Sequence, residues 1–169
     1  MAFRVIPSGV HERSRETDPR RLVVELALRK ALDIARRHPE ATVLGADTIV
    51  VCQGRILGKP AHHADSLRIL RLLNGRWQDV YTGVAVVREG GRWARTKAVR
   101  SRVLARRLSE EQLRRLAGKH LDKAGAYAVQ DRNDPFIERI VGDYGNIVGL
   151  PLEATRRLLQ ASSVKGRVK

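Results

Sequence analysis

Val43-Leu44-Gly45-Ala46-Asp47-Thr48-Ile49-Val50-Val51-Cys52, followed by Gln53-Gly54 and Gly58-Lys59-Pro60, is the stretch whose reading decides the fold. Apolar and β-branched residues stand on consecutive positions at its ends, which is the pattern of a strand covered on both faces. An acid, Asp47, sits in the middle of that run between small residues and a threonine. A carboxylate carried into a sheet costs several kcal/mol unless a cation or hydrogen bonds compensate it. Gln53-Gly54 offers a two-residue turn, and the chain returns through Arg55-Ile56-Leu57. That hairpin sets Thr48 opposite Lys59 and brings Asp47 and the lysine to one end of the pair. Gly45 and Gly58 are expected to leave room for a ligand to approach the backbone.

The rest of the chain frames this hairpin. Asp18-Pro19 is an N-cap followed by proline at the first helical position, and Leu22, Val23, Leu26, Ala27, Ala31, Ile34 and Ala35 continue as an amphipathic helix to about Arg37. Phe3-Arg4-Val5-Ile6 alternates and reads as a short strand. A second helix is expected over His63–Leu73, closed by Asn74-Gly75. Long strands follow from Trp77 and from Arg92, joined at Gly90-Gly91, and Ser109-Glu110-Glu111-Gln112 is a capping box. Phe136–Val141 reads as a strand, Gly142–Gly149 as a glycine-punctuated loop, and Pro151 opens a last helix to about Leu159. The tail from Ser162 is small and basic, and is expected to fray. Interleaved helices and strands over 169 residues, without repeat or linker, predict one α/β domain with a mixed, twisted sheet flanked by helices.

Composition narrows the function classes. Apolar residues make up 43 % and aromatics 4 %, so aliphatic packing must dominate the core. No apolar run approaches the ~20 residues of a membrane helix, no signal-peptide pattern is present, and one cysteine excludes an intrachain disulfide framework. A cytoplasmic protein with no membrane partner is the expectation. The net charge of +15 invites a polyanion, yet the basic residues arrive as scattered doublets such as Arg36-Arg37 and Arg114-Arg115. No basic stripe interleaved with aromatics is formed, so a specific nucleic-acid partner is not expected.

Several short blocks carry more information than any of these patterns: Pro7-Ser8…Glu12, Arg29-Lys30-Ala31, Gly45-Ala46-Asp47-Thr48, Leu57-Gly58-Lys59-Pro60, Tyr81-Thr82-Gly83-Val84, Asp122-Lys123-Ala124-Gly125-Ala126-Tyr127, Gln130, and Tyr144-Gly145-Asn146-Ile147-Val148-Gly149-Leu150-Pro151-Leu152. In this order and spacing, from about Phe3 to Leu159, the chain resembles the Maf proteins, nucleoside triphosphate pyrophosphatases also known as septum-formation inhibitors. The resemblance implies hydrolysis of dTTP or UTP, with modified nucleotides as further candidates, to the monophosphate and pyrophosphate, dependent on Mg²⁺ (or Mn²⁺). It makes Asp47 the proton acceptor for the attacking water. Glu12, Lys30 and Lys59 become the charged residues around metal and phosphates, with Asp47 and Glu12 as metal ligands. Thr48 and Gln130 match positions that select the pyrimidine branch of the family, and Asp122 and Lys123 count among the substrate-binding residues. A homodimer is compatible with the resemblance.

The chemistry of these residue types agrees. Attack at the α-phosphorus needs a base, lysines stabilise the charge that develops on leaving pyrophosphate, and a glutamine offers the donor and acceptor that read a pyrimidine edge. Taken singly, Glu12 reads as a solvated loop acid, Lys30 as a surface helix lysine, Cys52 as a buried small apolar residue and His62-His63 as an exposed helix start. The family pattern also includes a Ser-x-Ser-Pro-Arg-Arg helix start that grips the triphosphate. The chain begins after that point, so the first strand–helix unit of the fold is expected to be missing. A catalytically impaired nucleotide-binding form, and a basic nucleic-acid-binding protein, are the alternatives this reading leaves open.

Overall fold

A computed structural model describes residues 3–131 and 135–163. The elements run α1 (Pro19–Arg37), β1 (Val43–Cys52), β2 (Arg55–Leu57), α2 (His63–Leu73), β3 (Trp77–Arg88), β4 (Trp93–Ala105), α3 (Glu110–Leu116), β5 (Ile137–Val141), α4 (Tyr144–Val148) and α5 (Leu152–Ser163). The strands form one five-stranded sheet in the order β2-β1-β3-β4-β5, antiparallel at both edges. The α/β class expected from the sequence is what the chain adopts. Among the described residues no helix is long and apolar enough to cross a membrane.

Contacts divide the described residues into two compact units. One draws on the described residues up to Asp47, on Gly83–Ala98 and on those from Leu152 onward, the other on Thr48–Thr82 and the described residues between Val99 and Pro151. Each has its own apolar core. In the first, Ala27, Ala31, Ile34 and Ala35 of α1 pack on Val43, Ala85 and Val87. The seat is very close: a Cβ on Gly45 would lie 2.5 Å from the Ala27 carbonyl oxygen, and one on Gly83 would lie 2.1 Å from that of Val23. Gly45 therefore does not open the backbone to a ligand as expected; the main chain of α1 fills that space. Gly58, by contrast, faces open space.

In the second unit, Val50, Cys52, Leu57, Ile69, Leu70, Leu73, Val80, Val103 and Phe136 lie in one continuous core. The β1–β2 register pairs Val50 with Leu57 and Cys52 with Arg55, about a turn in which Gln53 and Gly54 both take positive φ. This is the expected hairpin, and its ladder ends at Leu57, two residues before Lys59. Asn74 clasps the chain after β4: its amide donates to the Leu108 carbonyl at 3.0 Å and its carbonyl accepts from the Leu108 amide at 2.8 Å.

Local capping follows the sequence closely. Asp18 accepts from the Arg21 amide at 2.8 Å with Pro19 at the first helical position, and the Ser109–Gln112 capping box is complete. Two expectations fail. Phe3–Ile6 forms no strand: Phe3 and Val5 are 81 % and 78 % exposed, and only Ile6 packs, against the first core. Alternation alone does not make a strand without a neighbour to satisfy its backbone groups. Gly142–Gly149 is not wholly loop either, since Asp143 caps a short helix, α4, that ends on Gly149 in the left-handed conformation. The last helix continues to Ser163, four residues past Leu159, and the tail beyond it lies outside the described residues.

The close seat of α1 generates a test. Gly83→Ala forces a methyl into the Val23 carbonyl and is expected to cost about 1–3 kcal/mol. Gly45→Ala should act in the same direction. Gly9→Ala, at a glycine with nothing within 4 Å, should stay within about 0.5 kcal/mol of the parent. Denaturant melts of the three variants measure this, and a Gly83→Ala protein as stable as the parent would mean α1 is not seated this way.

Candidate functional site

The first unit gathers three of the expected residues. Gly45 and Asp47 are two apart on β1 and so point to the same face, the one α1 covers. Lys30 precedes Ala31, which touches Gly45, so its side chain leaves the helix beside that contact. Its ammonium donates to Asp47 Oδ1 at 2.5 Å and pairs with Glu12 Oε1 at 2.7 Å. The Asp47 side chain is 9 % exposed, that of Lys30 20 % and that of Glu12 50 %. Within this unit Lys30 supplies a cation to Asp47 from the helix.

Glu12 is held there by a clamp that sequence reading missed. The Arg29 guanidinium donates to the carbonyls of His11 and Arg13, both at 2.9 Å, bracketing Glu12 in the chain. Arg29 also pairs with Glu25, and Ser14 Oγ donates to the other Glu25 oxygen at 2.8 Å. One turn on, Asp33 accepts from the Gly9 amide at 3.2 Å and pairs with Arg37 at 2.7 Å. The available signal was the pair of i,i+4 acid–base couples on one face of α1, which normally reads as helix support alone. The His11 contact uses its carbonyl, so the identity of that side chain does not enter.

Electrostatics in this cluster are unequal. Burial pulls the Lys30 ammonium toward neutrality, but its hydrogen bonds and charge interactions with Asp47 and Glu12 outweigh that, so its pKa lies above the ordinary lysine value. The carboxylates of Asp47 and Glu12 both meet the Lys30 ammonium. Hard oxygen donors in that number suit Mg²⁺, which is commonly held by one or two carboxylates together with substrate phosphates. Among the described residues no group of three or more His, Cys, Asp or Glu forms a closed metal cage.

The second unit holds the other expected residues. Thr48 Oγ1 lies 2.9 Å from Thr82 Oγ1, and Thr82 donates to the Asn146 carbonyl at 2.8 Å. Neither Thr82 nor Asn146 was singled out as a site residue, and 64 residues separate them in the chain. Lys59 and Gln130 are exposed. The Gly58 carbonyl beside Lys59 accepts from the Gly125 amide at 3.2 Å, which ties that turn to the segment carrying Lys123. Lys123 donates to Asp122 at 2.5 Å and thereby holds its carboxyl below the usual aspartate range. His62 caps α2 by accepting from the Asp65 amide at 3.2 Å, and Cys52 is buried, both as expected.

Comparison with known proteins places this geometry in context. A family model described as "Maf-like protein" matches residues 1–162. A dTTP/UTP pyrophosphatase of Elusimicrobium minutum is 45 % identical over 94 % of this chain and 86 % of its own length. Proteins of the same name from Deinococcus radiodurans and Moorella thermoacetica are each 44 % identical, over 96 % and 99 % of this chain and 83 % and 89 % of their own lengths.

The Lys30 contact can be tested without reference to activity. Lys30→Met leaves two carboxylates facing each other, one almost buried, and is expected to cost about 1–3 kcal/mol. Adding Asp47→Asn to that background should recover part of the loss, with a coupling of at least about 0.5 kcal/mol in a double-mutant cycle. Strict additivity in denaturant titrations would dissolve the pair.

Proposed function

This chain belongs to the Maf-like protein family, and from that membership we propose that it hydrolyses dTTP and UTP to the nucleoside monophosphate and pyrophosphate. The names of its relatives support the substrate. The observation that carries the reading is the cluster in which Asp47 and Glu12 converge on the Lys30 ammonium.

In this reading a water oxygen forms a bond to the α-phosphorus, the bond from that phosphorus to the bridging oxygen breaks, and pyrophosphate leaves. Asp47 accepts the proton of the attacking water; its side chain, 9 % exposed and fixed by Lys30, is a base with little freedom to turn away. Lys30 orients that carboxylate and offsets part of the charge that the triphosphate brings to two acids. Glu12 and Asp47 are the residues that would hold Mg²⁺ or Mn²⁺, and the ion supplies charge neutralisation and Lewis acidity to the phosphates when bound. Arg29 holds the loop that presents Glu12. Lys59 and Lys123 are assigned to phosphate charge, and Asp122 to orienting Lys123. Thr48 and Gln130 are assigned to the base, each offering the hydrogen-bonding atoms such an edge needs.

Release of pyrophosphate from dTTP and UTP in the presence of Mg²⁺ tests the proposal directly. Asp47→Asn should lower kcat by roughly 10²–10⁴-fold while nucleotide affinity stays within a few fold. Chelation of the divalent ion should abolish turnover in the parent. An Asp47→Asn enzyme with parental kcat, its fold checked by circular dichroism, would remove Asp47 from the reaction.

A further inference from the structure

Building on the assignment of Thr48 to the base, we propose that Thr82 and Asn146 are positioning residues that lock the Thr48 hydroxyl as a hydrogen-bond acceptor, so that it selects bases carrying an imide N–H. The argument is one of proton counting. A main-chain carbonyl can only accept, so the Thr82 hydroxyl, 2.8 Å from the Asn146 oxygen, commits its single proton there. The contact between Thr82 and Thr48 at 2.9 Å is then a hydrogen bond only if Thr48 donates. The Thr48 hydroxyl has no second proton. What it offers to a ligand is a lone pair.

The anchor of this chain of bonds is itself hydrogen-bonded to the surrounding main chain. Thr82 and Asn146 are both fully buried. The Asn146 carboxamide donates to the Val80 carbonyl at 3.0 Å, and its amide donates to Asp143 Oδ1 at 3.2 Å as part of the α4 cap. Its carbonyl also accepts from the Gly149 amide at 3.1 Å, so both lone pairs of that oxygen are engaged. A Cβ on Gly149 would lie 3.4 Å from Thr48 Oγ1, which leaves the threonine closely flanked on that side. Reversal of the relay would set Thr82 against the carbonyl lone pair by lone pair, inside the protein, where an unmade hydrogen bond is costly.

Uracil and thymine share an imide N3–H between two carbonyls, whereas cytosine carries an unprotonated nitrogen at that position. An acceptor-only Thr48 bonds the first and repels the second. Discrimination of this kind rests on leaving polar groups unpaired with the wrong ligand, which separates analogues far better than shape does.

The test compares affinities for UTP and CTP by isothermal titration calorimetry at fixed Mg²⁺. The parent protein should prefer UTP by roughly tenfold or more. Thr82→Val releases the Thr48 proton, letting that hydroxyl donate to cytosine, and should bring the ratio near parity, mainly by tightening CTP. Thr82→Ser, which keeps the relay, should keep the preference. Parity in the parent protein, or an unchanged ratio in Thr82→Val, overturns the proposal. Where Thr82→Val does not fold, Thr48→Val removes the acceptor itself, and a preference that survives it is equally fatal. Hydrolysis of UTP with unmoved ratios defeats the relay alone. Selective UTP binding without pyrophosphate release defeats the enzymatic reading and leaves the relay standing.

Discussion

The first unit depends on how near a helix can come to two strands. At Gly45 and Gly83 the main chain of α1 occupies the volume where any other residue would place a side chain. Only small residues allow that approach, and the helix answers with Val23, Ala27 and Ala31 on the matching stripe. Everything chemical in that unit is carried by this seat. Lys30 reaches Asp47 because its helix lies against β1, and Glu12 reaches Lys30 because Arg29, one residue earlier, holds the preceding loop on the same helix. Packing tolerance of tenths of an ångström thus becomes charge placement.

Charge placement in turn explains why an acid survives in a strand. Asp47 is nearly enclosed, and a lone carboxylate there would cost several kcal/mol. The ammonium at 2.5 Å offsets this cost, but Lys30 also serves Glu12, so two acids share one cation. The second unit solves a different problem with neutral groups, aligning hydroxyl, hydroxyl and carbonyl so that a single proton direction results.

Much of the local structure was legible in the residues. Gln53-Gly54 predicted a two-residue turn, in which both residues take positive φ, and the register Val50↔Leu57 is the one that turn dictates. Asp18-Pro19, Ser109…Gln112 and Asn74-Gly75 marked helix ends because each supplies its own hydrogen-bond partner or backbone conformation locally. Failures came where a partner was distant or missing. Phe3–Ile6 had the alternation of a strand and found no ladder among the described residues. Gly45 looked like space for a ligand, since nothing in a glycine names what will fill its vacancy. The role of Arg29 went unread because the two carbonyls it holds lie 16 and 18 residues away.

By itself, then, the sequence determined the elements, their caps, the hairpin register and the kinds of side chain available to a phosphate chemistry, because these follow from spacing, turn preference and residue type. Its ordered blocks determined the family. Only the tertiary structure decided which cation meets Asp47, what secures Glu12, and which way the Thr48 proton points. Those choices rest on contacts between residues 16 to 64 apart in the chain, whose distances no local pattern encodes and only the packing of α1 and α4 on the strands sets.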